Sequence, residues 1–228
     1  MSALATQDYL TNQTGPLTNP GSNIGGWEKL PPPLRSQLSA AALSALATYP
    51  ADWPEIQIIP LTGPFSALPA NLTANYFSVS AAICAFTSRG NVTINSTSTT
   101  DNPVISPNWL TTPVDQEIAV AGFKRIQEVA TTAGIIAGPE YTMGLPVQSD
   151  AQILQFIRES LSPLYHASCT CSMGQEGDPA AVVDSHAKVF GVSALRVVDV
   201  SAFPLLPPGQ PQSTVCERCP SLVGDHVC

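Results

Sequence analysis

The stretch DQEIAVAGFKRIQEVATTAG, from Asp115 to Gly134, is the clearest helix in this sequence and the feature that most limits its fold. Asp115 is predicted to cap its start, and Gly134 marks its end. A second helix is predicted over Ser149–Leu161, SDAQILQFIRESL, capped by Asp150. A third is predicted over Arg35–Tyr49, RSQLSAAALSALATY, closed by Pro50. EIQIIPL (Glu55–Leu61) and NYFSVSAAICAF (Asn75–Phe86) read as strands, the second long and apolar enough for the centre of a sheet. Helices lying between antiparallel strand signals predict an α+β fold, an antiparallel sheet with flanking helices.

The rest of the chain is punctuated by 22 prolines and 15 glycines. Residues 1–34 have no sustained period and are expected to form extended loop. SRGNVTINST places a turn at Arg89-Gly90 before a strand, which predicts a hairpin with what precedes it. DNPVISPNWL reads as a loop broken by two prolines. AAVVD, KVFGV and LRVVDVS read as short strands alternating with turns. The final STVCERCPSLVGDHVC begins like a helix, but Cys219-Pro220 and Gly224 are expected to break it, leaving no last element.

At 228 residues the chain can hold one large domain or two small ones around a real core. Its charged fraction is 11%, against roughly 25% in ordinary soluble domains. The net charge is −8 with only nine scattered Lys and Arg, so no basic stripe exists to neutralise phosphates. Nucleic acid is therefore an unexpected partner, and so is an anionic membrane. No apolar run reaches the roughly 18 residues needed for a membrane span. The first residues lack the pattern of a signal peptide, which leaves localisation open. Asn-x-Ser/Thr sequons at Asn12, Asn71, Asn91 and Asn95 suggest a secretory history.

YHASCTCSMG, Tyr165 to Gly174, sets His166 close to Cys169 and Cys171 and admits three chemistries. A zinc site would need a fourth ligand and a second pair. Cys216, Cys219, His226 and Cys228 offer one, at a spacing that matches no common finger, so no metal is assigned. A cysteine nucleophile would need a neighbouring cation or a helix N-terminus, and neither is signalled. A proton-transfer histidine needs only a pocket, because imidazole titrates near neutrality.

The run Tyr165–Val215, with TCSMG, AVVD, VFGVSALRVVDVS and PLLPPGQPQST, resembles the C-terminal signature of the glucose–methanol–choline (GMC) oxidoreductases, which are FAD enzymes. It is most similar to their fungal branch, which includes aryl-alcohol and glucose oxidases and a non-redox cyclase of secondary metabolism. Upstream, YLTNQTGPLTNPGSNIGGWEKLP, SRGNVTI, DNPVISPNWL and QSDAQILQFIRESL resemble the substrate domain of that branch. The resemblance implies a partial substrate-binding domain over 1–160, an FAD-facing segment over 161–215 and an off-family tail over 216–228.

It also implies that His166 takes the proton of a small alcohol-type substrate while hydride leaves the same carbon for the flavin. Asp199 and Val200 match residues that approach FAD, and Pro211 and Gln212 match a closing contact at the ring edge. Thr170, Cys171, Met173 and Gly174 match turn and packing residues. Gln210 stands where this branch usually has a second histidine. A carboxamide cannot take a proton at neutral pH, so the pair becomes one base and one positioning group. That leaves room for a non-redox cyclase or dehydratase as the alternative activity. The family's G-x-G-x-x-G fingerprint is absent, since GSNIGG has the wrong spacing. The FAD-binding half is thus expected as a missing intramolecular partner, the chain as a C-terminal part truncated at both ends, and the isolated chain as inactive.

Overall fold

The computed structural model describes residues 3–19, 21–22, 24–64, 76–134, 138, 140, 142 and 146–223, with side chains in the last helix described as far as residue 217. The chain divides into two compact units, residues 1–83 with 116–162 and residues 84–115 with 163–228. Helices and antiparallel strands mix within it, as the α+β expectation required.

In the first unit, strands β1 (Gly26–Glu28), β2 (Ile56–Thr62) and β3 (Phe77–Ile83) form an antiparallel sheet in the order β1-β2-β3. Among the described residues the central strand is therefore β2, not β3 as expected. An apolar run reports how much side chain is available to bury, but not how many strands flank it. β3 is half-buried along most of its length, while β2 begins with two fully buried residues. Asn75, the expected start of β3, lies outside the described residues.

Residues 1–34 are more regular than a loop. They hold helix α1 (Ala3–Asn12), a 3-10 turn (Pro16–Thr18), β1 and the start of α2 (Pro32–Arg35). The single helix expected over Arg35–Tyr49 is also divided, into α2 and α3 (Ala40–Leu46). Ser39 causes the break: its hydroxyl accepts from Ala42 N–H as an N-cap, and its own N–H donates to Glu117. Nearby, the buried Glu55 carboxylate accepts from Leu30 N–H at 3.0 Å and pairs with Arg35.

Helix α4 runs Pro113–Thr132, its first turn in the second unit and the rest in the first. It stops at Gly134, whose φ of +65° ends it as expected. Asp115 is not its cap. Thr112 Oγ1 accepts from Asp115 N–H, while the buried Asp115 carboxylate receives Thr87 N–H at 2.7 Å, Ser88 N–H at 2.8 Å and the Thr87 hydroxyl at 2.9 Å. Helix α5 (Asp150–Ser160) is capped by Ser149 rather than Asp150, through a capping box with Gln152. Val120, Phe123 and Ile153 pack together between α4 and α5, with Phe123 and Phe156 edge to face. On the sheet side, Gly122 comes close to Ala81 and Ile56.

In the second unit, β4 (Asn91–Thr93) pairs with β5 (Val104–Ser106), the segment that follows it and not the one before. The expected proline-broken loop is thus partly a strand. Pro103 and Pro107 flank β5 instead of interrupting it, where their missing N–H groups break no rung. Gly90 permits the approach: a Cβ there would lie 2.5 Å from the Ser106 carbonyl oxygen. AAVVD, KVFGV and LRVVDVS form isolated bridges, Met173 to Val183, Val183 to Val189 and Lys188 to Arg196, and not strands. The last segment is helical as far as Val223, and Gly224 lies outside the described residues. Helix α6 runs Gln212–Val223 through Pro220, because a proline removes one donor while the neighbouring turns keep theirs.

Candidate active site

Downstream of His166 the backbone passes through a turn at Thr170 and Cys171 before it bridges from Met173 to Val183. Cys169, Cys171 and Met173 donate their N–H groups to the carbonyls of Val200, Ser201 and Ala202 at 3.2, 2.9 and 3.0 Å. On the other side, Ser172 C=O accepts from Val182 N–H at 2.8 Å, and Gly174 N–H donates to Val183 C=O at 3.0 Å. The segment is therefore laced on both sides. Its partner is the 3-10 turn Val200–Ala202, whose Val200 carbonyl also accepts Phe203 N–H at 3.3 Å to close the turn. Asp199 caps that turn, its carboxylate accepting from Ser201 N–H at 2.7 Å with the side chain exposed. This lacing brings the His166 segment and Asp199–Val200 together.

Two non-glycine residues around His166 hold left-handed backbone, Tyr165 at φ 61° and Cys169 at φ 65°. Such a conformation costs an L residue about 1–2 kcal/mol and persists where the surroundings impose it. The lacing imposes it at Cys169. Tyr165 is 88% exposed, so its ring leaves the surface beside the half-buried His166. Cys169 and Cys171 are half-buried and carry no disulfide. Among the described residues no three His, Cys, Asp or Glu side chains gather as a metal site would need. The side chains of Cys219, His226 and Cys228 lie outside the described residues.

Gln210, Pro211 and Gln212 stand at the start of α6, outside the lacing that joins the other two segments. The loop before them is anchored by a contact that sequence reasoning did not single out. Gly209, at φ +104°, donates its N–H to the sulfur of buried Cys84. Burial pushes the Cys84 thiol up to about 11, and the Gly209 N–H partly opposes that. Cys84 is thus a neutral anchor near pH 7. The only hint in the sequence was a cysteine inside an apolar strand. Pro211 C=O accepts from Val215 N–H at 2.9 Å to close the first turn of α6. The amides of Gln212, Ser213 and Thr214 lie in that turn and have no acceptor within the helix. Gln210 and Gln212 are exposed.

A sequence profile described as GMC oxidoreductase matches residues 87–216. The chain belongs to the GMC oxidoreductase family. As a GMC protein it is similar to patulin synthase of Aspergillus clavatus, 48% identical over 224 residues that cover 93% of this chain and 36% of that protein. Versicolorin B synthase of Aspergillus parasiticus is 42% identical over 214 residues, covering 92% of this chain and 33% of its own length. The chain thus spans about a third of the length of these relatives. Among solved structures, formate oxidase of Aspergillus oryzae RIB40 superposes with a TM-score of 0.83 at 21% identity, over 96% of this chain and 41% of that one. That likeness shows the GMC fold.

Proposed function

We propose that this chain supplies the substrate-facing part of an FAD-dependent GMC oxidoreductase that oxidises the CH–OH group of a small alcohol. His166 removes the hydroxyl proton. The observation that supports this reading is the lacing of the segment after His166 to the Asp199–Ala202 turn, which ties the stretch of chain that carries this imidazole to a turn suited to a flavin. Imidazole is the side chain whose ordinary titration range straddles neutrality, so it can accept a proton and release it again. Gln210 orients: its carboxamide donates and accepts hydrogen bonds without taking a proton.

The donor set fits a flavin. The first-turn amides of α6 point N–H groups beyond the helix start, and the positive end of the helix suits an electron-rich ring edge. Pro211 is half-buried there and offers an apolar flank, while Asp199 and Val200 supply an exposed carboxylate and a fixed backbone turn. When bound, FAD supplies the acceptor for the hydride that leaves the substrate carbon.

The test uses the full-length protein that contains this chain. His166→Ala is expected to slow anaerobic flavin bleaching by an alcohol about 10²–10⁴-fold, with FAD content unchanged. An unchanged bleaching rate would remove His166 from the role of base. Product forming while the flavin stays oxidised would replace the reading with a non-redox cyclase or dehydratase.

A further inference from the structure

Nothing in the proposed chemistry uses the Asn-x-Ser/Thr sequons. Two of them fall within β4 and the loop that follows it, a stretch exposed from Asn91 to Ile105. The register sets Val92 opposite Ile105, so these two share one face of the ribbon, while Asn91 and Thr93 lie on the other. The apolar pair is open, at 48% and 64%, and Ile94 beside it is 79% exposed. A two-stranded ribbon of this kind has unpaired edges that invite pairing with another chain.

The loop after β4 distributes its hydrogen bonds unevenly. Ser96 Oγ donates to Asp101 Oδ2 at 2.6 Å and accepts from Ser98 N–H at 3.1 Å, holding the loop together. Asn95 and Thr97, the first and third residues of the sequon Asn95-Ser96-Thr97, make no side-chain hydrogen bond among the described residues. The loop thus uses the middle residue for itself and leaves both recognition groups in solvent.

We propose that Asn95 is the acceptor of an N-linked oligosaccharide, added as the chain passes through a secretory compartment. The donor class is a lipid-diphosphate-linked oligosaccharide. The Asn95 Nδ2 attacks the anomeric carbon, the C–O bond to the diphosphate breaks and an N–C bond forms. The lipid diphosphate leaves, one amide proton passes to a base of the transferase, and nothing is oxidised or reduced. In the folded protein a hydrated glycan here breaks no internal hydrogen bond and hinders edge-to-edge pairing of the ribbon. Asn91 differs because its backbone is committed to the ladder with Ser106.

The experiment takes full-length protein produced from its own gene in a secreting fungal host. It is treated with peptide N-glycosidase in heavy-oxygen water, which marks each deglycosylated asparagine as a labelled aspartate. Peptide mapping is expected to find the label at position 95, to lose it completely in Thr97→Ala and to keep it in Thr97→Ser. An unlabelled Asn95 in the wild-type protein overturns the proposal, whether or not Asn12 or Asn91 carries sugar. So does a label at position 95 that survives Thr97→Ala.

Discussion

Gly174 sits where the lacing of the His166 segment meets the turn that returns through Val183, and its substitution by alanine tests how tightly that junction is packed. A Cβ at 174 would lie 2.7 Å from Ala181 Cβ and 3.3 Å from Asp178 Oδ2. Carbon atoms rest about 3.5–4.0 Å apart, so the two segments must separate by roughly 1 Å. Two hydrogen bonds oppose the movement, Gly174 N–H to Val183 C=O and Val182 N–H to Ser172 C=O. Overpacking of this kind costs about 1–3 kcal/mol. The φ of Gly174 is not in the left-handed region, so the cost is purely steric.

The obstacle is a single methyl, which makes a rescue possible. Ala181→Gly alone should cost about 0.5–1 kcal/mol through the unfolded chain. Combined with Gly174→Ala it should recover most of the loss, with a coupling of about 1–2 kcal/mol. Urea unfolding of the four proteins measures this, and hydrogen exchange at the Gly174 and Val182 amides localises it. Strictly additive losses would refute the packing argument.

Three further outcomes follow from single groups. Cys84 rises from an ordinary 9.0 to about 11 on folding, so the folded state holds its proton longer. Stability is full below pH 9.0 and falls by about 2–3 kcal/mol as pH climbs to about 11; urea midpoints across that window should show the drop, and Cys84→Ala should remove it. Cys169→Gly relieves left-handed strain of about 1–2 kcal/mol and adds about 0.5–1 of unfolded-state freedom, for a net gain of about 0.5–1 kcal/mol in thermal or urea unfolding. Ser149→Ala removes the capping box of α5 and should cost about 1 kcal/mol, whereas Asp150→Ala should cost clearly less; equal losses would point back to Asp150 as the cap.

Much of the fold was legible because it rests on local periodicity. The core of α4, its stop at Gly134, α5 and β2 follow from apolar spacing and from the one residue type that tolerates a positive φ. Neighbouring residues with equal capping chemistry were not separable, since Ser149 and Asp150 can both accept an amide and only the backbone decides which one faces it. The partner of β4 was also undetermined, because three residues carry no register and the choice fell to Gly90, which lets two backbones meet.

The candidate site divides in the same way. His166, Asp199 and Gln210–Gln212 were named by residue type and motif, and side-chain chemistry is a property of the sequence alone. That the His166 segment lies against the Asp199 turn depends on hydrogen bonds between carbonyls and amides, which every residue carries and no residue advertises. The left-handed turns at Tyr165 and Cys169 were equally hidden, since nothing in a tyrosine or a cysteine announces a positive φ. Tertiary structure decides such features because their local cost is repaid only by contacts distant in sequence.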